Sequence, residues 1–353
     1  MSGGGAIRVV VVDDSAVARE MLVQILTSDE HIEVVGSATD GQEAIDVVAA
    51  LRPDVVTMDI HMPRVDGLQA IEHIMAFTPV PILVVSSSVH GDGGGRAFDA
   101  LDAGALEVMR KPEPRDWAEL TEIAADLISR IKLLSRVPVV THVRGIRAAR
   151  PGRFQPVATG EAACSVAPEV VAIGSSTGGP SALLNVLGRL PAEFPLPILV
   201  AQHIADGFVP GLVAWLDAGC KIRVLMAEDG MPVLPGVAYL SPSGVNLCYS
   251  PRELRLGGPM LGQVHVPSAD VLFDSVTETC GAGAIGVVLT GMGSDGARGL
   301  KAMRDTGAFT IAQDEDTSIV YGMPKTAFDM GAAAAVLPVH EIAAELERAA
   351  DVP

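Results

Sequence analysis

The chain is 353 residues long, 49% hydrophobic, and carries a formal charge of −18. The length predicts two domains, the apolar content excludes a disordered chain, and the acidity argues against binding nucleic acid, whose phosphates need clustered Lys and Arg. Four scattered cysteines (Cys164, Cys220, Cys248, Cys280) form no C-x-x-C pair, which argues against a disulfide framework or zinc site and for free thiols in a reducing cytosol.

The N-terminal half alternates strand-like and helix-like segments. Apolar, β-branched runs stand at 7–12, 32–36, 54–58, 81–85 and 105–109; helical spacing appears between them, as at 16–26 and 41–51, and closes the half at 117–134. The first run is too short for a signal peptide and ends on two aspartates, and no run reaches membrane-spanning length. A cytoplasmic protein without membrane insertion is expected. Five strands, each followed by a helix, predict a doubly wound parallel sheet whose ligand crevice lies at the carboxyl ends of the strands.

Asp13 and Asp14 follow the first strand and Asp59 the third. Those strands are neighbours in such a sheet, so three carboxylates converge, and they repel one another unless a hard cation such as Mg²⁺ sits among them. Ser86 ends the fourth strand and Lys111 follows the fifth, supplying a hydroxyl and an ammonium suited to phosphoryl oxygens. One such Asp alone reads as a helix cap. The set together suits a carboxylate that accepts a phosphoryl group.

The segments VVDDSAVARE, DVVTMDIHMPRVDGLQAI, VVSSS and RKP resemble the signature of a response-regulator receiver domain, over roughly residues 7–134. The resemblance implies Asp59 as phosphoacceptor, Asp13 and Asp14 with Asp59 as metal ligands, Ser86 and Lys111 as sensors of the phosphoryl group, and a histidine kinase as donor. Val108 stands where receivers commonly carry an aromatic switch residue. Read-out through repacking of a domain interface is expected in its place.

The alternation fails next. Residues 136–160 hold Arg136, Arg144, Arg147, Arg150 and Arg153 with no acidic residue, punctuated by Pro and Gly, so 135–168 reads as a basic linker that either docks on an acidic face or is a solvated hinge.

From Val170 the pattern resumes, with strands expected near 170–174, 197–202 and 284–290 and helices near 179–190, 207–217, 268–280 and 295–306. Residues 236–256 read as antiparallel hairpins added to a parallel core. GSSTG (174–178) fits G-x-S-x-G with Ser176 at its centre, between a strand and a helix. The turn can present Ser176 Oγ as a nucleophile, with free backbone N–H groups, Thr177 among them, to hold an oxyanion; a plain tight turn or a phosphate-binding loop fits the same letters. A serine needs a base and an orienting carboxylate. Of the histidines in this half, His203 ends a strand at the same edge, and His265 lies in a loop; position favours His203. Asp295 follows a strand-to-glycine turn at that edge, with a helix cap as its competing role and Asp270 as a weaker rival.

The order Ser, His, Asp is not that of α/β-hydrolases. The segments IGSSTGGPSAL, VAQHIADGF, AEDGMPVLPGVAYLSP, PSADVLFDSV and LTGMGSDGARGL instead closely resemble the catalytic domain of chemotaxis protein-glutamate methylesterases, over about residues 168–349. The resemblance implies a Ser176–His203–Asp295 triad, an oxyanion contribution from the Met292 backbone, and a small residue in place of Ser175, which is thus a tolerated variant. It implies hydrolysis of glutamate methyl esters on chemoreceptor cytoplasmic helices, deamidation of receptor glutamines, and an unphosphorylated receiver that covers the active-site edge until Asp59 is phosphorylated. The expected fold class is α/β, two doubly wound parallel-sheet domains with added hairpins in the second: receiver 1–134, linker 135–168, catalytic domain 169–353. A monomer is expected, with Mg²⁺ at the receiver and no cofactor for the esterase chemistry. Two rivals stand beside this reading: a non-enzymatic regulator with a DNA- or partner-binding second domain, which no helix-turn-helix pattern supports, and a hydrolase of small esters.

Overall fold

The computed structural model describes residues 5–87, 92–114, 116–139, 166–251 and 253–351. It groups the chain into two compact units, Met1–Arg150 and Pro151–Pro353. Most of the expected linker, including Arg144, Arg147, Arg150 and Arg153, lies outside the described residues.

The first unit alternates strand and helix throughout: β1 (Ile7–Val12), α1 (Ala16–Thr27), β2 (Ile32–Ala38), α2 (Gly41–Leu51), β3 (Val55–Met58), α3 (Gly67–Phe77), β4 (Ile82–Ser86), α4 (Asp92–Asp102), β5 (Glu107–Arg110) and α5 (Trp117–Leu134). Helix starts are fixed locally. Ser15, Asp40, Asp66 and Asp116 each accept an N–H of the first turn of the helix they precede. The strands pair in parallel in the order β2-β1-β3-β4-β5. Chain direction across the sheet reverses between β1 and β3, which opens a crevice at their carboxyl ends. β3 and β4 are buried at every position because helices cover both faces of the sheet.

The second unit contains β6 (Val170–Ser175), α6 (Gly179–Leu187), β7 (Ile198–Gln202), α7 (Val209–Gly219), β8 (Arg223–Met226), β9 (Val237–Leu240), β10 (Asn246–Ser250), β11 (Glu253–Gly257), α8 (Ala269–Cys280), β12 (Ala284–Val288), α9 (Ala297–Asp305), β13 (Phe309–Gln313), α10 (Met323–Asp329), β14 (Ala335–Leu337) and α11 (Val339–Ala350). Seven strands form one parallel sheet in the order β14-β13-β12-β6-β7-β9-β8. The chain starts at β6, builds outward through β7, and returns to β12 on the other side, so a second switch point lies between β6 and β12.

One expectation is corrected here. The segment 236–256 is not hairpin throughout: β9 joins the large sheet in parallel between β7 and β8, and only β10 and β11 pair antiparallel. All four residues of β9 are buried, as an interior strand demands, whereas β10 and β11 are only partly so. The hairpin is held by Leu247 and Leu254, both fully buried in a core with Leu272 and Phe273 of α8 and Leu300 of α9. Each such leucine contributes about 1.5–3 kcal/mol. That packing sets β10 beside the start of α8, next to the candidate site.

Candidate functional site

In the first unit, Asp13 and Asp59 stand just past β1 and β3 and are buried, while Asp14 is exposed. One oxygen from each carboxylate lies within 4.8 Å of the others. Lys111, just past β5, brings Nζ within 2.8 Å of both Asp13 Oδ2 and Asp59 Oδ2. Its amide donates to the carbonyl of Ser86, which ends β4 and is buried. Burial raises the Asp59 carboxyl above the usual carboxylate range, with the Lys111 ammonium opposing and the Asp13 charge adding to the rise. Burial works against the charge on Lys111, but its bonds to Asp13 and Asp59 outweigh this and raise its pKa. Three carboxylates against one ammonium leave net negative charge in a partly dry crevice. That donor set, oxygen only and short of positive charge, fits Mg²⁺. Val108, on β5, is buried.

In the second unit, Ser175 of β6 and Gln202 of β7 are paired residues of adjacent strands. Ser176 and His203 are the next residue of each, so the parallel spacing of about 4.8 Å carries both to one edge. Ser176 is half-buried and its turn is pinned: its amide donates to Thr290 O at 3.0 Å, and its carbonyl accepts from Gly179 N at 2.7 Å and Gln202 Nε2 at 2.9 Å. The segment after β12 touches it directly. A Cβ built on Gly291 would lie 2.7 Å from Ser176 Cβ, so only glycine allows the approach. Gly178, at φ 75°, opens α6 with no side-chain cap, and the Thr177 amide donates to no acceptor among the described residues. Met292 sits between glycines on the facing turn, with its side chain 46% exposed.

His203 Nε2 lies 2.8 Å from Asp295 Oδ2, and both side chains are nearly buried. Its other ring nitrogen, Nδ1, is buried without a hydrogen-bond partner. Asp295 is not the cap of its own helix. Gly296 holds that position, and Asp295 turns toward α8 instead. There Oδ1 accepts from Ser268 Oγ at 2.8 Å and Asp270 N at 3.1 Å, and Oδ2 accepts from Ala269 N at 2.7 Å. Burial pushes the Asp295 carboxyl up, but the bonds from His203, Ser268 and Ala269 outweigh it and hold the pKa at about 2. An ionised acceptor at Nε2 requires a proton there and leaves the lone pair on Nδ1. The rival Asp270 accepts from Gly299 N at 2.7 Å and pairs with Arg298 at 3.3 Å.

Two contributors, Gln202 and Ser268, lie beyond the sequence reading, and His265, there the weaker candidate for the base, takes another place. Gln202 accepts from Ser175 Oγ at 2.6 Å and donates to the carbonyls of Ser176 and His203, tying both turns together. Gly179 makes this possible, since a Cβ there would lie 2.0 Å from Gln202 Oε1. Ser175 is therefore a buried donor to Gln202 and not a second nucleophile. Ser268 clamps Asp295, and the ring of His265 stacks on that of His203. The adjacency of Gln202 to His203 is the one signal that could have marked it. Among the described cysteines no thiolate is poised: burial, with Asp217 nearby, pushes the Cys220 thiol up to about 12, and burial, with Glu169 nearby, pushes the Cys280 thiol to about 11. A hydroxyl on a pinned turn, an imidazole with a free lone pair and a firmly ionised carboxylate form a set competent for acyl transfer.

Comparison with known proteins agrees with both halves. The CheB methylesterase family profile matches residues 171–346, and the response regulator receiver domain profile matches residues 9–124. Protein-glutamate methylesterase/protein-glutamine glutaminase 2 of Anaeromyxobacter dehalogenans (strain 2CP-C) is 44% identical over 343 residues, 96% of this chain and 96% of its own. Protein-glutamate methylesterase/protein-glutamine glutaminase 1 of Syntrophus aciditrophicus (strain SB) is 43% identical over 355 residues, 98% of each. The crystal structure of the Thermotoga maritima CheB methylesterase catalytic domain superposes with a TM-score of 0.50 at 36% identity, over 52% of this chain and 99% of that one.

Proposed function

The chain belongs to the family of CheB protein-glutamate methylesterases/protein-glutamine glutaminases, and from that premise we propose that it hydrolyses glutamate methyl esters, and deamidates glutamines, on chemoreceptor cytoplasmic helices, with Ser176, His203 and Asp295 as the catalytic triad. The observation that carries the assignment of residues is the 2.8 Å pairing of His203 Nε2 with Asp295, which leaves a lone pair on Nδ1 at the edge where Ser176 stands.

Ser176 Oγ attacks the ester carbonyl carbon while His203 Nδ1 takes its proton. Asp295 holds the tautomer and stabilises the imidazolium. The carbonyl oxygen, now an oxyanion, is met by backbone N–H groups of Thr177 and Met292, each supplying about 3–4 kcal/mol of transition-state stabilisation. Collapse breaks the bond to the methoxy oxygen, which leaves as methanol with the proton from His203. Water, deprotonated by His203, then hydrolyses the acyl-enzyme and returns a glutamate and free Ser176. With a glutamine substrate the leaving group is ammonia and the remaining steps are unchanged.

Regulation belongs to the first unit. Asp59 takes a phosphoryl group from a histidine kinase; Asp13, Asp14 and Asp59 would hold Mg²⁺, which would supply positive charge to offset the anionic carboxylate and phosphoryl group. Lys111 Nζ and the Ser86 hydroxyl bind the phosphoryl oxygens. A complete switch from closed to open takes about 5 kcal/mol, the worth of about two to three charge-assisted hydrogen bonds, so a phosphoryl group that gains fewer activates only in part. The protein works as a cytoplasmic monomer; no helix among its described residues is long and apolar enough to cross a membrane.

The test is methanol release from methylated chemoreceptor, with and without a small phosphodonor and Mg²⁺. Release that rises with phosphodonor and vanishes in Ser176→Ala is expected. Turnover that persists in Ser176→Ala removes Ser176 from the mechanism.

A further inference from the structure

His265 has no part in the chemistry above, yet its imidazole lies face to face with that of His203, ring centroids 4.4 Å apart and planes 19° from parallel. A base needs more than the right tautomer. The one hydrogen bond of the His203 ring among the described residues, between Nε2 and Asp295, fixes a single point of the ring and leaves rotation about the bond joining it to Cβ. A flat group against the ring face blocks that rotation, because a turning ring would drive its edge into the gap.

The backbone that carries the stacked ring is itself held, although His265 is exposed. Gln263 Nε2 donates to His265 O and to Asn246 Oδ1, both at 2.7 Å, and Gln263 Oε1 accepts from Asn246 Nδ2 at 3.0 Å and Met260 N at 2.9 Å. Asn246, on β10, is 1% exposed, and its Oδ1 also accepts from Ser268 N at 3.0 Å. Ser268 Oγ in turn holds Asp295. One buried amide thus supports both restraints on His203: through Gln263 the main chain of His265, whose ring covers its face, and through Ser268 the carboxylate that bonds its edge.

We infer that His265 is a positioning residue, whose ring face, carried on a backbone that Gln263 and Asn246 hold in place, keeps the His203 imidazole in the plane that presents Nδ1 to Ser176; this rests on the triad reading above. A neutral face also tolerates the positive charge that His203 acquires in the transition state. Although His265 is exposed, partial desolvation against the site and the nearby His203 lower its pKa, against the pull of Asp295, in the direction of an uncharged ring.

The test uses the full-length protein, phosphodonor-treated, with methylated chemoreceptor as substrate, and separates kcat from KM. His265→Ala and His265→Gln, which lack a ring face, lower kcat by about tenfold to hundredfold with KM within about twofold, the size of loss that misplacing a reacting group produces. His265→Phe restores a neutral face and brings kcat back to within about threefold of wild type. Gln263→Ala, which loosens the clasp, lowers kcat in the same direction as His265→Ala by a smaller factor. Unchanged kcat in His265→Ala overturns the proposal, as does a His265→Phe protein no faster than His265→Ala, or a loss confined to KM, which would make His265 a substrate contact. Melting temperatures matching wild type separate each result from misfolding, and His265→Phe, the most conservative in shape, carries the decision if His265→Ala is unstable. Turnover that survives Ser176→Ala would remove the triad reading and this proposal with it; failure of the His265 series alongside an inactive Ser176→Ala overturns the positioning role alone.

Discussion

Asp59 and Asp295 occupy corresponding places in two parallel sheets, each on the loop just beyond a buried strand, and their acidities move in opposite directions. Asp59 is raised by burial, with Lys111 its charged partner and Asp13 crowding it. Asp295 is also buried, yet it receives hydrogen bonds from His203, Ser268, Ala269 and Asp270 and is held at about 2. Burial decides the first and is overruled at the second. The difference lies in the donors aimed at the Asp295 carboxylate, which together outweigh its burial. The first crevice is short of positive charge, which suits a site that must take up a cation and then a phosphoryl group. The second is already satisfied, which suits a carboxylate that must never become protonated during turnover.

The sharpest way to separate the two crevices is to disable one. Ser176→Ala should lower methanol release at least about 10⁴-fold while phosphoryl uptake at Asp59 from a small donor proceeds at the wild-type rate; coupled loss of both would contradict independent chemistries. Asp295→Asn should lower kcat about 10³- to 10⁴-fold, since an amide no longer enforces the tautomer that frees Nδ1, and a residual rate near wild type would show that charge at this point is dispensable. Acid should reveal the difference in donors. A carboxyl at about 2 when folded and near 3.8 when unfolded releases its proton more readily in the folded state, so its contribution is complete above about pH 4 and lost as the pH falls toward 2. That contribution is on the order of 2 kcal/mol, read as acid-dependent urea unfolding of the second unit through Trp215, which is buried where Trp117 is 81% exposed. Ser268→Ala, by removing one donor, should move that loss to higher pH. The smallest effect belongs to the first crevice: Mg²⁺ at a few times its Kd should stabilise the wild-type first unit by about 1 kcal/mol, measured by thermal unfolding, with no gain in Asp13→Asn.

Ser176, His203, Asp13 and Asp59 were legible because each follows an apolar β-branched run, and a parallel sheet collects such positions on one rim. Asp295 and Asp270 were harder to part, since both open helices and the choice rests on which way a side chain turns: Asp295 toward α8, Asp270 toward α9. The clasp of Asn246, Gln263 and Ser268 left no trace, because amides and hydroxyls far apart in the chain carry no period of their own. β9 was misread for a related reason: flanking Pro, Ser and Gly suggested hairpins, while four consecutive buried residues favoured the sheet interior.

The pairing of β6 with β12 runs past the ends of both strands, through Leu289 N to Gly174 O and Ser176 N to Thr290 O. The turn that bears Ser176 is thereby stitched into the sheet and cannot breathe unless the sheet does. In deuterium-exchange measurements the amides of Leu289 and Ser176 should exchange only through opening of the whole unit, beside a Thr177 amide with no acceptor among the described residues to hold it, which should exchange faster, a rigid hinge pin next to an unfilled socket one residue away.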